Sequence, residues 1–206
     1  MNNAKTSNRK AKALETKKNI YKSAEQLFQN HGFDNVSVDT IVEMAGVSKG
    51  AFYVHFGSKD YLIAALIADY VEKVDLDYKS FLESIGPDLK ASDKLILLAG
   101  KIADITNCTI GYDNMKFLYA AQLTRTINTD AVSGYNREIY QMLREIISTG
   151  QQQGEFKTEI SPDIISKHCI LALRGLIYEW CIRYPDFDLK DQVLQHFEIL
   201  LTGITK

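Results

Sequence analysis

Helix breakers are scarce in this chain. Only three of its 206 residues are proline, and proline ends or kinks a helix because it lacks a backbone donor and clashes with the preceding turn. Apolar residues recur instead at spacings of three and four, as on the faces of amphipathic helices. No segment shows the alternating pattern of a strand. The sequence therefore predicts an all-α fold of about nine helices.

Two short amphipathic segments near the N-terminus flank Gly46. Residues 38–45 and 49–55 have helical spacing, and Ser37 can cap the first of them. Gly46 permits the left-handed backbone of a tight turn, so the arrangement matches the helix-turn-helix plan. Many such pairs bind nothing, and the pattern alone leaves a DNA-binding role and a purely structural role equally open.

Charge is distributed unevenly along the chain. Residues 1–60 carry a net charge of +3 and residues 61–206 a net of −5. The basic excess is densest in residues 1–22, where seven Lys and Arg face a single acid, Glu15. A basic end on an acidic body indicates contact with a polyanion, although a solvated tail has the same composition.

The second short segment has residue types suited to a DNA groove. Small residues at Gly50 and Ala51 allow close approach, and the Ala51 methyl can contact a thymine methyl. Lys49 can donate to guanine O6 and N7, whereas Tyr53 and Lys59 can reach phosphates. This chemistry favours the DNA-binding interpretation.

Residues 47–56, which read VSKGAFYVHF, and Ser58-Lys59-Asp60 after them resemble the signature of TetR-type repressors. The upstream pair Gly32-Phe33 and residues 37–46 resemble the preceding part of that signature. The resemblance covers about residues 13–70, in register and without gaps. Beyond residue 70 it is limited to the number and lengths of the helices.

This resemblance implies a three-helix DNA-binding head at residues 1–60, in which residues 1–11 form a flexible basic arm, and an effector-binding and dimerisation body at residues 61–206. Asp39 lies where some relatives have a basic base-reading residue. It can favour the helix start or accept from a cytosine amino group, and we favour the first role. By the resemblance, the phosphate contacts are Thr40, Ser48 and Lys59, the groove contacts are Lys49, Gly50 and Ala51, and the flanking residues are Tyr53 and His55.

The resemblance also implies a homodimer formed by the last two helices. The eighth predicted helix, which ends near Arg183, is apolar almost all round and must be covered on more than one side. It either fills the monomer core or pairs with a second copy. We favour the dimer, because two half-sites raise the affinity for a palindromic operator on double-stranded DNA.

Family resemblance places a small-molecule effector within the body, where it would release the protein from DNA. For each candidate side chain, core packing is the alternative role, and His168 is interpreted as a core histidine. Their aromatic character favours a partly apolar or aromatic effector. The candidates are Tyr78, Phe117, Tyr119, Gln122, Tyr140, His168, Arg174 and Trp180.

Signatures of other protein classes are missing from the sequence. It has no metalloprotease, nucleophile-elbow or phosphate-loop motif, so we expect no catalytic residue. Its cysteines, Cys108, Cys169 and Cys181, fit neither a disulfide framework nor a zinc site, and we expect neither a metal nor a cofactor. Without a signal peptide or a membrane-length apolar run, we expect a cytoplasmic protein with no membrane partner. The alternative function is a helical small-molecule-binding or interaction module that does not bind DNA.

Overall fold

The computed structural model describes residues 2–206, with side chains from Ser7 onward. Nine helices account for most of this range, and the part of the chain described contains no strand beyond one isolated bridge between Phe156 and Thr205. The all-α prediction is thereby confirmed. The helices are α1 (Asn2–His31), α2 (Val38–Ala45), α3 (Lys49–Phe56), α4 (Lys59–Ser84), α5 (Ala91–Asp104), α6 (Tyr112–Thr124), α7 (Glu138–Gln152), α8 (Pro162–Arg183) and α9 (Leu189–Ile204).

Two short helical segments connect the longer ones. A π-helical segment, Ile105–Ile110, follows α5 directly, and a single helical turn, Asp130–Ser133, precedes α7. None of the described helices is both long enough and apolar enough to cross a membrane.

Helix α1 starts at Asn2, within the stretch predicted to form a flexible arm. The structure places residues 2–11 in this helix instead of in a flexible arm, and Met1 lies outside the described residues. No glycine or proline interrupts this stretch, so nothing in it breaks a helix. Its basic residues Arg9, Lys10 and Lys12 remain exposed along the helix.

The chain divides into two compact units, and the division falls inside α4. The first unit runs to Asp69 and includes Ala120–Thr129, whereas the second comprises Tyr70–Tyr119 and Asp130–Lys206. The division therefore lies nine residues beyond the predicted one at residue 60. The reason is that the first turns of α4 carry buried apolar residues, such as Leu62 and Ile63, which continue the core of the first unit.

The first unit is built around the contacts of α1 with α2 and α3. Ser37 caps α2, as predicted, by accepting from the Thr40 amide at 3.1 Å. Gly46 ends α2 with φ at 65°, the left-handed backbone predicted for the turn. The Ser37 cap and the left-handed backbone of Gly46 thus define where α2 begins and ends before the turn into α3. The core side chains are Ile20, Ala24, Phe28, Ile41, Val42, Phe52, Phe56, Leu62 and Ile63.

The second unit encloses a larger core. Helix α5 packs against α7 and α9, and α8 packs against both of those helices. The N-terminus of α8 is capped by the Ser161 hydroxyl, which accepts from the Ile164 amide, and Pro162 opens the first turn. Cys169 is fully buried, whereas Cys181 is only half-buried. The largest fully buried side chains are Leu95, Leu98, Leu143, Ile147, Phe156, Leu189 and Phe197.

Candidate DNA-binding interface

Helix α3 has one buried and one exposed face. Phe52 and Phe56 are buried in the core of the first unit. Tyr53 is 46% exposed, and its ring meets the Phe52 ring edge-on, with the centroids 5.3 Å apart. Gly50 is exposed, and a side chain added there would meet only the Ser48 hydroxyl, at 3.8 Å. The N-terminal end of α3 therefore presents small and polar groups to an approaching surface.

The two predicted hydroxyl contacts lie at the starts of α2 and α3. The Ser48 hydroxyl accepts from the Ala51 amide at 3.2 Å and so caps α3. The Thr40 hydroxyl lies 2.9 Å from the Ser37 hydroxyl in the first turn of α2. Both Thr40 and Ser48 are exposed. Exposed hydroxyls and amides at helix N-termini are suitable donors to phosphate oxygens.

Lys49 pairs with an acidic side chain across the turn. Its Nζ lies 2.8 Å from Asp39 Oδ1 and 3.0 Å from Asp39 Oδ2. Hydrogen bonding to this carboxylate and attraction to its charge raise the pKa of Lys49. Sequence reasoning considered the two residues separately and missed the pair. The available signal was that opposite charges lie in the first turns of two helices joined by a tight turn.

Lys59 is engaged within the first unit. Its ammonium donates to the Phe33 carbonyl oxygen at 2.8 Å and lies 5.9 Å from the centroid of the Phe28 ring. The side chain is half-buried, as are those of His55 and Ala51. Lys59 therefore ties the start of α4 to the loop after α1, a structural role that the sequence did not indicate.

The helix-turn-helix region matches a known family. Residues 20–66, which span the helix-turn-helix, match the family described as bacterial regulatory proteins, tetR family. The family match is to this N-terminal region of the chain. The match thus includes every residue predicted to contact DNA.

Relatives that match most of this chain are transcriptional regulators. It is 26% identical over 164 residues to the HTH-type transcriptional regulator YdgC of Bacillus subtilis, covering 80% of each chain. It is 22% identical over 186 residues to the HTH-type transcriptional repressor DhaR of a Mycobacterium species, covering 90% of this chain and 92% of the relative.

The fold also has solved counterparts. The crystal structure of the transcriptional regulator FadR from Bacillus subtilis, in complex with stearoyl-CoA, superposes with a TM-score of 0.69. The superposition covers 90% of this chain and 98% of that one, at 18% sequence identity. Likeness at this level of identity shows that the two proteins share a fold through the body as well as the head.

In the second unit, the structure brings some of the candidate effector residues together. The Tyr119 hydroxyl donates to the Arg174 carbonyl oxygen at 2.9 Å, and burial raises the pKa of Tyr119. Burial also raises the pKa of Tyr140, which the Arg174 and Arg137 charges partly offset. Tyr78 is 4% exposed. These residues form a largely buried polar region of the second unit.

Other candidates lie elsewhere. Trp180 is buried, but its ring meets those of Tyr112 and Tyr184. Phe117 and Gln122 are half-buried, and Gln122 belongs to the first unit. His168 is exposed, so its prediction as a core histidine is wrong. The buried positions of α8 lie on one face, and His168 lies on the other.

Sequence reasoning missed a buried ion pair in the body. Asp75, in α4, pairs with Arg137, which immediately precedes α7. Arg137 Nη1 and Arg174 Nη2 both donate to the Val132 carbonyl oxygen, at 3.3 Å and 2.9 Å. The available signal was that Asp75 interrupts the apolar stripe of α4, one helical turn before Tyr78.

A cavity of about 320 Å³ opens elsewhere in the second unit. Its floor is apolar, and exposed charged residues such as Lys79, Glu83 and Glu145 form its rim. None of the eight candidate effector residues lines it. Among the residues with described side chains, no group of three or more His, Cys, Asp or Glu could hold a metal ion.

Proposed function

We propose that this protein is a TetR-family repressor that binds a palindromic operator as a homodimer and is released by a small molecule. The observation that carries the proposal is the geometry of α3. Its core face is buried, while Lys49, Gly50 and Tyr53 remain exposed at its N-terminal end. In helix-turn-helix proteins, the N-terminal residues of the second helix contact base edges in the major groove.

Each predicted contact has a defined role in this proposal. The Thr40 and Ser48 hydroxyls position the head on the phosphate backbone, together with the ammonium of Lys59 after it leaves the Phe33 carbonyl. Lys49, Gly50 and Ala51 face the groove floor, and Tyr53 and His55 flank them. The exposed basic residues at the start of α1 add sequence-independent attraction to DNA.

The second copy is expected on α8. Ile164, Leu171, Tyr178 and Ile182 lie one or two helical turns apart and are 42–60% exposed in the single chain. Such an apolar stripe is unfavourable in water and typical of a surface that a partner covers. A two-fold pair of heads would match the two half-sites of a palindrome. Ile199 offers a further exposed apolar side chain on α9.

The effector is expected in the body. FadR, the structural counterpart, has stearoyl-CoA bound. In this chain the buried Tyr78 and Tyr140 and the half-buried Tyr119 suit a partly apolar or aromatic molecule. Release requires that the effector bind the form without operator more tightly than the operator-bound form. The relative DhaR is a repressor, which supports negative control here. Because operator DNA lies in the bacterial cytoplasm, the proposed role is regulatory and cytoplasmic.

The test is fluorescence-anisotropy binding to the duplex upstream of the gene encoding this chain. A scrambled duplex and two salt concentrations complete the design. We expect sequence-preferring binding that weakens at higher salt, because bound Lys and Arg release condensed counterions. The Tyr53→Ala variant should bind more weakly without any change in oligomeric state, whereas Val54→Ala, also on exposed α3 surface, should not. No binding to either duplex at either salt would favour a helical module without DNA binding.

A further inference from the structure

The surface expected to face DNA carries a charge pair that bridges two helices. Asp39 lies in the first turn of α2, Lys49 is the first residue of α3, and the Lys49 Nζ contacts both carboxylate oxygens, at 2.8 Å and 3.0 Å. The two side chains are 72% and 52% exposed. Ion pairs as exposed as this one contribute little to folding. Its main effect is to hold a flexible ammonium at one place, beside the start of the recognition helix.

A carboxylate on this surface weakens DNA binding. Asp39 repels phosphate oxygens, and it partly neutralises the positive charge that Lys49 would offer them. In the first turn of α2 it favours the helix start, but against DNA it is favourable only where it meets a hydrogen-bond donor. On the major-groove side of DNA, the donors are the amino groups of cytosine and adenine. The position of Asp39 is therefore explained by a base edge better than by the backbone.

We propose that Asp39 and Lys49 act together to read one G·C base pair in each half-site, an inference that rests on the proposed DNA-binding function. In the major groove, guanine presents the acceptors N7 and O6, and the cytosine amino donor lies next to O6. An ammonium and a carboxylate held side by side match that order of acceptors and donor. Lys49 donates to the guanine, and Asp39 accepts from the cytosine.

An A·T pair is a poorer match to the same two groups. Adenine N7 and the adenine amino group alternate as acceptor and donor, so no two adjacent acceptors are available to the ammonium. Asp39 is thus a specificity-determining residue. It selects a base pair at the expense of non-specific affinity.

The experiment is selection from a library of randomised duplexes with the full-length protein. The wild type should select a palindromic motif that contains a G·C pair in each half-site. Asp39→Ala and Lys49→Ala should each lose the preference at that same position, by about 5- to 150-fold, and keep it elsewhere. The double variant should lose no more than either single one, because the two residues act as one unit.

A matched control removes another negative charge from the same helix. Glu43 is exposed on α2, and Glu43→Ala should leave the selected motif unchanged. Thermal melting followed by circular dichroism should show that all variants fold as the wild type does. This control separates the loss of a base contact from a general gain in positive charge.

Three results would overturn the inference. An Asp39→Ala variant that keeps the wild-type motif and binds every duplex more tightly would show that Asp39 only repels the DNA phosphates and selects no base. If Asp39→Ala or Lys49→Ala instead loses its preference at an A·T position, Asp39 and Lys49 do not read the proposed G·C base pair. A wild type that selects no motif at all would contradict the proposed DNA-binding function itself, and the base reading with it.

Discussion

The Asp75 carboxylate accepts two hydrogen bonds from the Arg137 guanidinium in the second unit. Arg137 Nη2 lies 2.5 Å from Asp75 Oδ1, and Arg137 Nε lies 3.2 Å from Asp75 Oδ2. The Asp75 side chain is 5% exposed and that of Arg137 18% exposed. The pair joins α4 to the start of α7. A bidentate pair at this depth orients both side chains and leaves neither charge uncompensated.

Removing one partner of this ion pair should destabilise the fold. We expect Asp75→Ala to lower the free energy of unfolding by about 3 kcal/mol, because it leaves the Arg137 charge buried without its partner. Urea unfolding followed by circular dichroism measures the change. The control is Asp75→Leu combined with Arg137→Met, which removes both charges and should cost much less. Equal losses in both proteins would show that packing, not the unpaired charge, dominates.

Glu155 gives the body a sensitivity to acid. Its carboxylate accepts from the Ala91 amide at 2.9 Å and from the Ser92 amide at 3.0 Å. It thereby caps α5, whose own N-cap residue, Lys90, makes no side-chain cap. Burial alone would raise the pKa of Glu155, but the hydrogen bonds from Ser92 and Ala91 outweigh it, and the pKa is lowered.

A lowered pKa means that folding stabilises the charged carboxylate. The contribution of Glu155 is therefore complete above its unfolded pKa and is lost as the pH falls through its folded pKa. We expect Glu155→Gln to lower the free energy of unfolding at pH 7 by about 1 kcal/mol. The difference from the wild type should shrink below pH 4, as measured by urea unfolding over a pH series. A difference that is constant with pH would contradict the capping role of the charge.

The features predicted correctly from the sequence are those that neighbouring residues determine. Ser37 caps a helix within three residues of itself, and Gly46 adopts its left-handed backbone inside a short turn. The scarcity of proline likewise indicates an all-α chain without reference to distant contacts. The helix-turn-helix can therefore be predicted from the sequence, and helical spacing indicates which of its residues are exposed.

The features that were missed depend on residues brought together by folding. Asp39 with Lys49 and Asp75 with Arg137 are ten and sixty-two positions apart, and periodicity says nothing about either pair. His168 was misplaced for a related reason. Because α8 is apolar almost all round, its sequence does not indicate which face the core of the second unit covers, and His168 lies on the face that it leaves exposed.

Gly50 provides a test of close approach to DNA. A methyl group at this position would meet no atom of the protein nearer than 3.8 Å, so Gly50→Ala should not strain α3. It should raise the free energy of unfolding by about 0.5–1 kcal/mol, since alanine is the better helix former. If α3 lies against the groove floor, the same methyl should weaken operator binding about tenfold or more, an effect of steric exclusion.

The two effects of Gly50→Ala have opposite signs, which makes them separable. Urea unfolding reports the first and fluorescence anisotropy on the selected operator reports the second. Val54→Ala, on the same helix at an 82% exposed position, serves as the control for binding. Operator affinity unchanged by Gly50→Ala would mean that the start of α3 stays away from the bases.

The exposed stripe of α8 makes the dimer testable without altering the monomer core. Leu171 is 50% exposed in the single chain, and we expect Leu171→Glu to produce monomers, because two glutamates would face each other in a desolvated interface. Sedimentation velocity measures the oligomeric state. Operator affinity should fall with it, since each monomer can occupy only one half-site. Leu76→Glu introduces the same charge at a 57% exposed leucine of α4 and should stay dimeric. A dimeric Leu171→Glu protein with full operator affinity would place the second copy on another face of the body.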